Sequence, residues 1–344
     1  MSGGALRVGF CVPPFSMPGA AFFRTPGWTD LDGRVAVDAA VEAERLGYDA
    51  LWMADHIMHG HDGAILEGWT ALSVIAGRTT RARLGTIHLA QAFRHPGLIA
   101  KMVATLDHLS GGRVSLFYDW GFVDRELDAY GMERPAPEEI AVRVDDGVGL
   151  IRALWESEGP VDYRGPRFTT RGAICRPAPV QKPMPIWLGE ARDDAWCDVV
   201  ARRADGWNTA PVSPARLQEK LSRVHAACGR VGRDRASLPI SLEIQILVAP
   251  TEREVGDRLR AIAALADPTG RPAHPGASAW LARGTGSPAD TIDDWLIGTP
   301  ARVSEQIATY RALGVEELML WFIDFPSREG MRLFAREILP EVRR

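Results

Sequence analysis

Short apolar runs and longer amphipathic segments alternate along the whole chain, and this alternation constrains the fold more than any other feature of the sequence. The apolar runs are rich in β-branched and aromatic residues, as in buried strands, and the segments between them have helical periodicity. Strands that alternate with helices in this way form βαβ units and a parallel sheet. The predicted strands are residues 6–12, 48–54, 82–90, 114–118, 185–189, 206–210, 240–248 and 317–323.

Eight strands in strict alternation with helices favour a closed barrel over an open doubly wound sheet. Gly47 and Gly314 stand directly after two of the helices, where left-handed C-caps are expected. The predicted helices are residues 34–46, 69–80, 97–109, 138–155, 193–204, 214–229, 252–266, 300–313 and 328–342. The sequence therefore predicts the α/β class and a (β/α)8 TIM barrel.

Two insertions interrupt the alternation, one after the fourth strand and one after the seventh. Residues 156–180 contain Gly159-Pro160 and Gly165-Pro166. Such pairs interrupt helices, so this segment is predicted to be an excursion with a hairpin. Residues 267–299 are rich in glycine, proline and small residues and predict a long mobile insertion of the kind that forms lids. No repeat and no shift in composition marks a boundary, so residues 1–344 are predicted to form a single barrel domain.

The charge balance bears on the class of partner. The chain has 40 Lys and Arg against 44 Asp and Glu, a net charge of -4, without the concentrated basic patch that nucleic-acid or membrane-surface binding needs. Its 4 cysteines form no C-x-x-C pair, which argues against a disulfide framework or a zinc knuckle. No secretory signal or long apolar segment is present. We expect a cytoplasmic protein that binds a small molecule rather than nucleic acid or a membrane.

Polar side chains follow several predicted strands, at the end of the barrel where active sites of this fold lie. Asp55 and His56 directly follow the second strand, and a histidine at this place can move a proton near neutral pH. We expect both residues to be catalytic. An apolar substrate pocket is expected to be lined by Cys11, Trp52, Trp120 and Asn208.

His59, His61 and Asp62 raise a different possibility, because a His-x-His pair after a strand also occurs in metal-dependent hydrolases built on barrels. Asp324 after the eighth strand would fit such a site. The strands five and six, however, are followed by Glu190 and Asn208 rather than by the histidine or lysine that such a site needs. We therefore expect no metal, with His59 and His61 on an exposed loop.

Six blocks of sequence resemble, in order, the bacterial luciferase-like superfamily of flavin- and deazaflavin-dependent oxidoreductases. The resemblance runs from about residue 5 to residue 340. The blocks are AERLGYDALWMADH, EGWTALSVIAGRTTRARLGT, RHPGLIAKMVATLDHLSGGRVSL, RPAPVQKPMPIWLGE, ARRADGWNTAP and GTPARVSEQIATYRALGVEELML.

The resemblance implies a TIM barrel that holds a reduced flavin or deazaflavin in its mouth, with the reaction supplied by the cofactor. Asp55 and His56 would line the substrate side of the ring, and residues 86–89 would form a bulged strand behind it. The cofactor contacts expected from the resemblance and from the strand ends are Thr86, His88, Gln91, Arg94, Gly189, Glu190 and Arg192. A structural ion pair is the alternative role for Arg94.

The sequence departs from the family pattern in two places. After the fourth strand, relatives usually read Leu-Gly-x-Gly-x-Gly, sometimes with a glutamate that donates a proton, whereas here bulky residues replace glycines and Phe122 stands near the place of that glutamate. Tyr118 or Asp119 then becomes the expected acid or hydrogen-bond donor, and a sugar-phosphate dehydrogenase loses support. After the fifth strand, Glu190 follows Gly189 and would repel a bound phosphate unless Arg192 neutralises it.

Four functions remain open. The main hypothesis is a monooxygenase that uses oxygen and reduced FMN, supplied by a separate flavin reductase, on a small organic substrate in a site that excludes water. The alternative is an oxidoreductase that transfers hydride with coenzyme F420. A metal-dependent hydrolase and a non-catalytic flavin-binding protein are more distant alternatives. The resemblance also implies a homodimer.

Overall fold

The computed structural model describes residues 5–343 and shows a closed barrel of eight parallel strands, which confirms the predicted fold class. The barrel closes because β8 pairs with both β7 and β1, as in the register Leu318 with Leu242 and Arg7 with Glu317. The barrel strands are β1 (Arg7–Val12), β2 (Ala50–Ala54), β3 (Arg83–Ile87), β4 (Val114–Asp119), β5 (Ile186–Gly189), β6 (Gly206–Thr209), β7 (Ile240–Val248) and β8 (Val315–Phe322).

The helices surround the barrel and cover the outward faces of the strands. They are α1 (Gly33–Leu46), α2 (Gly68–Arg78), α3 (Pro96–Ser110), α4 (Asp124–Tyr130), α5 (Pro137–Glu156), α6 (Asp194–Arg203), α7 (Pro214–Arg230), α8 (Glu252–Ala263), α9 (Pro275–Arg283), α10 (Pro300–Ala312), α11 (Glu329–Leu333) and α12 (Leu339–Val342), with a π-helical turn, Phe334–Ile338, between the last two. Gly47 ends α1 in the left-handed conformation (φ 97°), as predicted.

Large aromatic side chains fill the barrel interior below its mouth. The rings of Trp52 and Phe117 lie 4.5 Å apart, and Phe117 stacks on Trp187 at 4.9 Å. Glycines on neighbouring strands leave room for them, since a Cβ at Gly85 would lie 2.2 Å from Trp52 and a Cβ at Gly206 would lie 2.4 Å from Trp187. The interior is therefore a packed core, and any ligand site must lie above this layer.

The chain between β4 and β5 contains one element that was predicted and one that was not. Antiparallel bridges join Val161 to Ala173 and Arg164 to Thr169, which confirms the hairpin. The short helix α4 was not predicted from the sequence. It contributes Glu126 to the candidate site described below, so the missed helix is a missed functional element.

The insertion after β7 is folded, contrary to the expected long mobile segment. It contains α9 and a short strand, Trp295–Gly298, that pairs with β7. Trp280 and Ile292 are buried in a separate apolar cluster with Phe22 of the loop after β1. These apolar side chains anchor the insertion, because they complete that cluster together with Trp295 and Ile297.

Two further expectations can be compared with residues 5–343. Within that range all four cysteines are free thiols and all are buried. The sequence analysis had argued against a disulfide framework. None of the helices described for these residues combines the length and apolarity required to cross a membrane.

Candidate active site

A cavity of about 350 Å³ lies at the mouth of the barrel, where the carboxyl ends of the strands meet. Its volume is in the range of small-molecule sites. Its lining combines aromatic side chains, Phe15, Phe23 and Trp321, with ionisable groups. His56, His88, Asp119 and Glu190, all predicted site residues, contribute to that lining.

His56 is held by Glu126, a carboxylate that the sequence analysis missed. His56 Nδ1 lies 2.5 Å from Oε1 of Glu126, and the other carboxylate oxygen accepts hydrogen bonds from the amides of Ile57 (2.6 Å) and Met58 (3.1 Å). Burial acts to raise the pKa of Glu126, but the hydrogen bonds from His56 and the two amides lower it below its usual value. An ionised Glu126 can only accept, so Nδ1 of His56 carries a proton and Nε2 is left to exchange one.

His59 lines the cavity beside His56, contrary to its expected place on an exposed loop. Its ring stacks on His56 at 4.5 Å and meets Phe15 edge-on at the same distance. Burial, together with the neighbouring His56, lowers the pKa of His59 to about 3, so the ring is neutral at physiological pH. His61 lies apart from this pair, with Nδ1 2.9 Å from the hydroxyl of the buried Ser16.

Asp55 lines the cavity, but both of its carboxylate oxygens are engaged. Arg94 donates to them at 2.7 and 2.8 Å, and the amide of Ala90 donates at 2.8 Å. Arg94 also pairs with Glu67 at 2.8 Å. Arg94 therefore has the ion-pair role that was the alternative to a cofactor contact, and Asp55 ties the end of β2 to the segment after β3.

Asp119 faces the cavity at the end of β4 with one oxygen paired and one free. Arg192 donates to Oδ1 at 2.7 Å. Oδ2 is buried and accepts no hydrogen bond from the described residues. Of the two groups predicted to replace the missing glutamate, Asp119 thus lies where a ligand can reach it.

Glu190 is neutralised by Lys220, not by Arg192. Lys220 Nζ lies 2.6 Å from Oε2, and the amide of Ala210 donates to Oε1 at 2.7 Å. Burial opposes ionisation, but Lys220 and the amide lower the pKa of Glu190 below its usual value. Arg192 is unavailable because it pairs with Asp119. The sequence could not reveal this partner, since Lys220 lies on α7, a separate element.

Arg24 and Glu243 form a second pair that the sequence analysis missed. Their closest atoms are 2.8 Å apart, and Nε1 of Trp321 donates to Glu243 at 2.6 Å. The amide of Arg24 donates to Gln245 at 2.9 Å, which fixes the loop after β1 over the mouth. A signal for Glu243 was present in the sequence, because a carboxylate within a buried strand needs a partner.

His88 and Gly189 are a matched pair in the cavity floor. The His88 ring stacks on Phe117 with centroids 5.9 Å apart, and its Nε2 is buried without a hydrogen-bond partner among the described residues. A Cβ at Gly189 would lie 2.6 Å from that nitrogen. Gly189 therefore makes room for His88, and both predicted residues lie at the site.

Four predicted site residues lie outside the cavity. Tyr118 is fully buried, and its hydroxyl would be 2.4 Å from a Cβ at Gly147 of α5, so it faces the helix layer and the prediction of a catalytic acid is wrong. Gln91 lies against the same glycine and donates to the carbonyl of Arg143. Thr86 is buried on the outward face of β3, and Trp120 packs near Arg143, 6.0 Å from its guanidinium. When a strand is buried on both faces, its sequence does not reveal which side chains point into the barrel.

The other members of the expected substrate pocket lie in the core beneath the cavity. Cys11, Trp52 and Asn208 are fully buried, and none of them lines the cavity. Asn208 Nδ2 donates to the hydroxyl of Ser241 at 2.8 Å, and burial raises the pKa of the Cys11 thiol well above its usual value. They fill the barrel, so the prediction that they contact substrate is wrong.

Sequence comparison finds relatives among F420-dependent and FMNH2-dependent enzymes. An F420-dependent glucose-6-phosphate dehydrogenase of Microbacterium testaceum is 28% identical over 318 residues, covering 90% of this chain and 93% of the relative. An FMNH2-dependent dimethylsulfone monooxygenase of Pseudomonas putida is 25% identical over 264 residues, covering 72% of this chain and 71% of the relative. The two relatives are named for different cofactors.

Solved structures show the same architecture. An F420-dependent secondary alcohol dehydrogenase, solved with an F420-acetone adduct, superposes with a TM-score of 0.76 at 18% identity over 99% of this chain and all of that one. A long-chain alkane monooxygenase gives a TM-score of 0.78 at 15% identity, covering 99% of this chain and 92% of the other. The model of the luciferase-like monooxygenase family matches residues 19–317. The chain belongs to this luciferase-like family of oxidoreductases.

Proposed function

We propose that this protein is a coenzyme F420-dependent oxidoreductase that transfers hydride between the deazaflavin and the carbinol or carbonyl carbon of a small organic substrate. The F420-dependent relative is matched over 90% of this chain at 28% identity, and the FMNH2-dependent relative over 72% at 25%. These figures support the alternative reached from the sequence better than its main hypothesis of an FMN monooxygenase.

The observation that carries this proposal is the His56–Glu126 pair at the cavity wall. Oxidation of an alcohol by hydride loss also releases the hydroxyl proton, and a positioned base must accept it. His56 lines the cavity and has Nδ1 bound to the carboxylate at 2.5 Å, which leaves Nε2 as the nitrogen that can accept a proton. The ionised Glu126 stabilises the imidazolium that forms, and it keeps the ring in the tautomer that accepts at Nε2.

Two buried polar atoms support a cofactor in the same cavity. His88 Nε2 and Asp119 Oδ2 have no hydrogen-bond partner among residues 5–343, and buried polar atoms of this kind are normally satisfied. One can donate and the other accept, as the polar edge of a flavin or deazaflavin ring requires. We expect these two residues to hold the ring, and the bound deazaflavin supplies the hydride acceptor.

The remaining cavity groups favour a substrate with an apolar body. Phe15, Phe23 and Trp321 form one wall. Of the two arginines that line the cavity, Arg24 is paired with Glu243, and Arg271 lies over the Phe23 ring with its guanidinium carbon 4.5 Å from the ring centroid. The aromatic wall can exclude water from the reacting atoms and receive the carbon skeleton of a small alcohol.

The proposal is tested by anaerobic titration of the purified protein with F420 and, separately, with reduced FMN, followed by addition of a panel of small alcohols. We expect F420 to bind and its visible absorbance to fall when an alcohol is oxidised. Turnover that requires both reduced FMN and oxygen would instead identify a monooxygenase. His56→Ala should abolish turnover and leave the affinity for F420 within a few fold of the wild type, which separates a catalytic role from loss of the site.

A further inference from the structure

Three side chains with metal-ligand atoms meet at the cavity wall. His56, His59 and Glu126 each offer one such atom, and these atoms all lie within 4.8 Å of one another. Two imidazoles and one carboxylate are a ligand set that divalent zinc uses in open sites, where a fourth position is left to solvent or a small ligand. Both histidines line the cavity, so an ion could enter from it.

The charge distribution around the mouth also favours a cation at this point. The buried carboxylates Asp55, Asp119, Glu190 and Glu243 each have an arginine or lysine partner. Glu126 is buried too, but its partners among the described residues are His56 and two backbone amides. A buried carboxylate without a permanent positive partner gains most from a bound cation.

The second coordination layer is already in place. The amides of Ile57 and Met58 hold one oxygen of Glu126, which leaves Oε1 turned toward His56. The stacked contact between the two imidazoles, at 4.5 Å, keeps His59 beside that oxygen, and Phe15 supports His59 from the other side. Such outer contacts orient ligands and raise metal affinity.

We propose that His56, His59 and Glu126 form a binding site for a divalent transition metal ion, with zinc as the principal candidate. The ion takes the place of the proton between His56 Nδ1 and Glu126 Oε1, and that proton moves to Nε2, so that His56 coordinates as a neutral imidazole. The two atoms must separate from 2.5 Å to roughly 3.3 Å to share an ion at about 2.1 Å, a small shift at the start of a short helix. This set differs from the sequence hypothesis of His59, His61 and Asp62.

The consequence for activity follows from the proposed function and rests on it. A metal bound to His56 withdraws the residue that accepts the substrate proton, so zinc at this site inhibits the reaction. The metal would therefore act as an inhibitor of hydride transfer. A metal at this site does not require the hydrolase activity that was considered from the sequence.

The binding itself can be tested without turnover. Untagged full-length protein is treated with a chelator, and Zn²⁺ binding is followed by calorimetry and Co²⁺ binding by visible absorbance. We expect one ion per chain, with tetrahedral cobalt bands, and an affinity at least ~10-fold weaker in His59→Phe and in Glu126→Gln. His61→Ala is the matched control, because His61 lies on the same loop outside the cluster, and it should bind like the wild type.

Two results would overturn the metal site. One is wild-type binding no tighter than that of His59→Phe, and the other is an equal loss in His61→Ala. If Glu126→Gln is not folded by circular dichroism, His59→Phe decides the question alone. Because no step of the test uses F420 or an alcohol, a failure here is distinguishable from a failure of the proposed hydride transfer.

Discussion

Lys220 Nζ lies 2.6 Å from Oε2 of Glu190, and this contact explains how a glutamate can follow Gly189 at the end of β5. The amide of Ala210 donates to the other oxygen at 2.7 Å, so the carboxylate is both neutralised and hydrogen-bonded. A group bound in the cavity therefore meets a paired charge rather than a free anion. The repulsion expected from the sequence is removed by a lysine from α7.

Replacing Lys220 with methionine should destabilise the protein, because Glu190 would remain buried without its partner. Removal of one member of a buried pair costs about 3 kcal/mol. Lys220 and the Ala210 amide hold the pKa of Glu190 below its ordinary value of 4.5, so its stabilising contribution is present above that pH and is lost as the pH falls below it. Urea unfolding at neutral pH and at low pH measures both effects, and the difference between variant and wild type should shrink in acid.

Two variants control this experiment. Lys182→Met removes an exposed lysine and should leave the free energy of unfolding within about 0.5 kcal/mol of the wild type. The double variant Glu190→Gln with Lys220→Met removes both charges and should recover most of the loss. A Lys220→Met protein as stable as Lys182→Met would show that the pair contributes nothing.

Glu126→Gln should lower kcat by about 100-fold or more, because the amide can hold His56 but cannot stabilise its imidazolium form. The KM for the alcohol should change far less, since Glu126 acts through His56 and does not line the cavity. The pH dependence of kcat should also shift to lower pH, because the imidazolium form of His56 loses the carboxylate that stabilises it. Steady-state kinetics with F420 across a pH series measures all three quantities.

Asp128→Asn is the matched control for this variant. Asp128 lies on the same helix, α4, but its carboxylate is at the surface and pairs with Arg134 at 3.1 Å. Its kcat and pH profile should match the wild type. Equal losses in the two variants would mean that α4 itself, rather than the carboxylate of Glu126, supports the reaction.

Most of the fold was predictable because each strand and helix carries its own local signal. Residues 240–248 were predicted as a strand with the bounds that β7 has, and Gly47 and Gly314 mark helix ends in the left-handed conformation. The insertion after β7 was misjudged because its order comes from tertiary packing of Trp280 and Ile292 and not from local periodicity. Local pattern predicts elements, whereas distant contacts decide whether a loop is folded.

The candidate site was only partly predictable, for two physical reasons. Strands buried on both faces gave no indication that Tyr118 points outward while Asp119 points into the cavity. The charge partners also come from distant elements, since Glu126 is 70 residues from His56 and Lys220 is 30 residues from Glu190. Position at a strand end identified the groups that face the mouth, but not what neutralises them.

His59 should make the wild type lose stability as the pH falls. Burial lowers its pKa in the folded state to about 3, below the ordinary value of 6.5, so the folded state resists a proton that the unfolded chain binds. The stability that the neutral ring contributes is fully present above pH 6.5 and declines as the pH falls from there toward 3. Relative to His59→Phe, the wild type should lose about 2 kcal/mol over the upper part of that window.

Thermal or urea unfolding of both proteins across this pH range measures the difference. Phe15→Leu is a suitable control, because it changes the packing of the same ring without altering an ionisable group. It keeps His59, so its stability should fall with pH in parallel with that of the wild type, displaced by a constant loss of packing energy. Parallel stability curves for the wild type and His59→Phe would show that the ring is not buried as a neutral group.

The tightly filled barrel interior predicts opposite effects for two Gly→Ala substitutions. A Cβ at Gly85 would lie 2.2 Å from the Trp52 ring and 2.8 Å from the carbonyl oxygen of Ser115, and Trp52 is fully buried, so Gly85→Ala should cost about 2 kcal/mol or more. Gly77 is exposed on α2 with no heavy atom within 4 Å of its Cβ position, so Gly77→Ala should stabilise by up to about 1 kcal/mol. Urea unfolding of the two variants measures both values. Equal stability of Gly85→Ala and Gly77→Ala would contradict this prediction, because it would mean that a methyl group fits between β3 and the Trp52 ring.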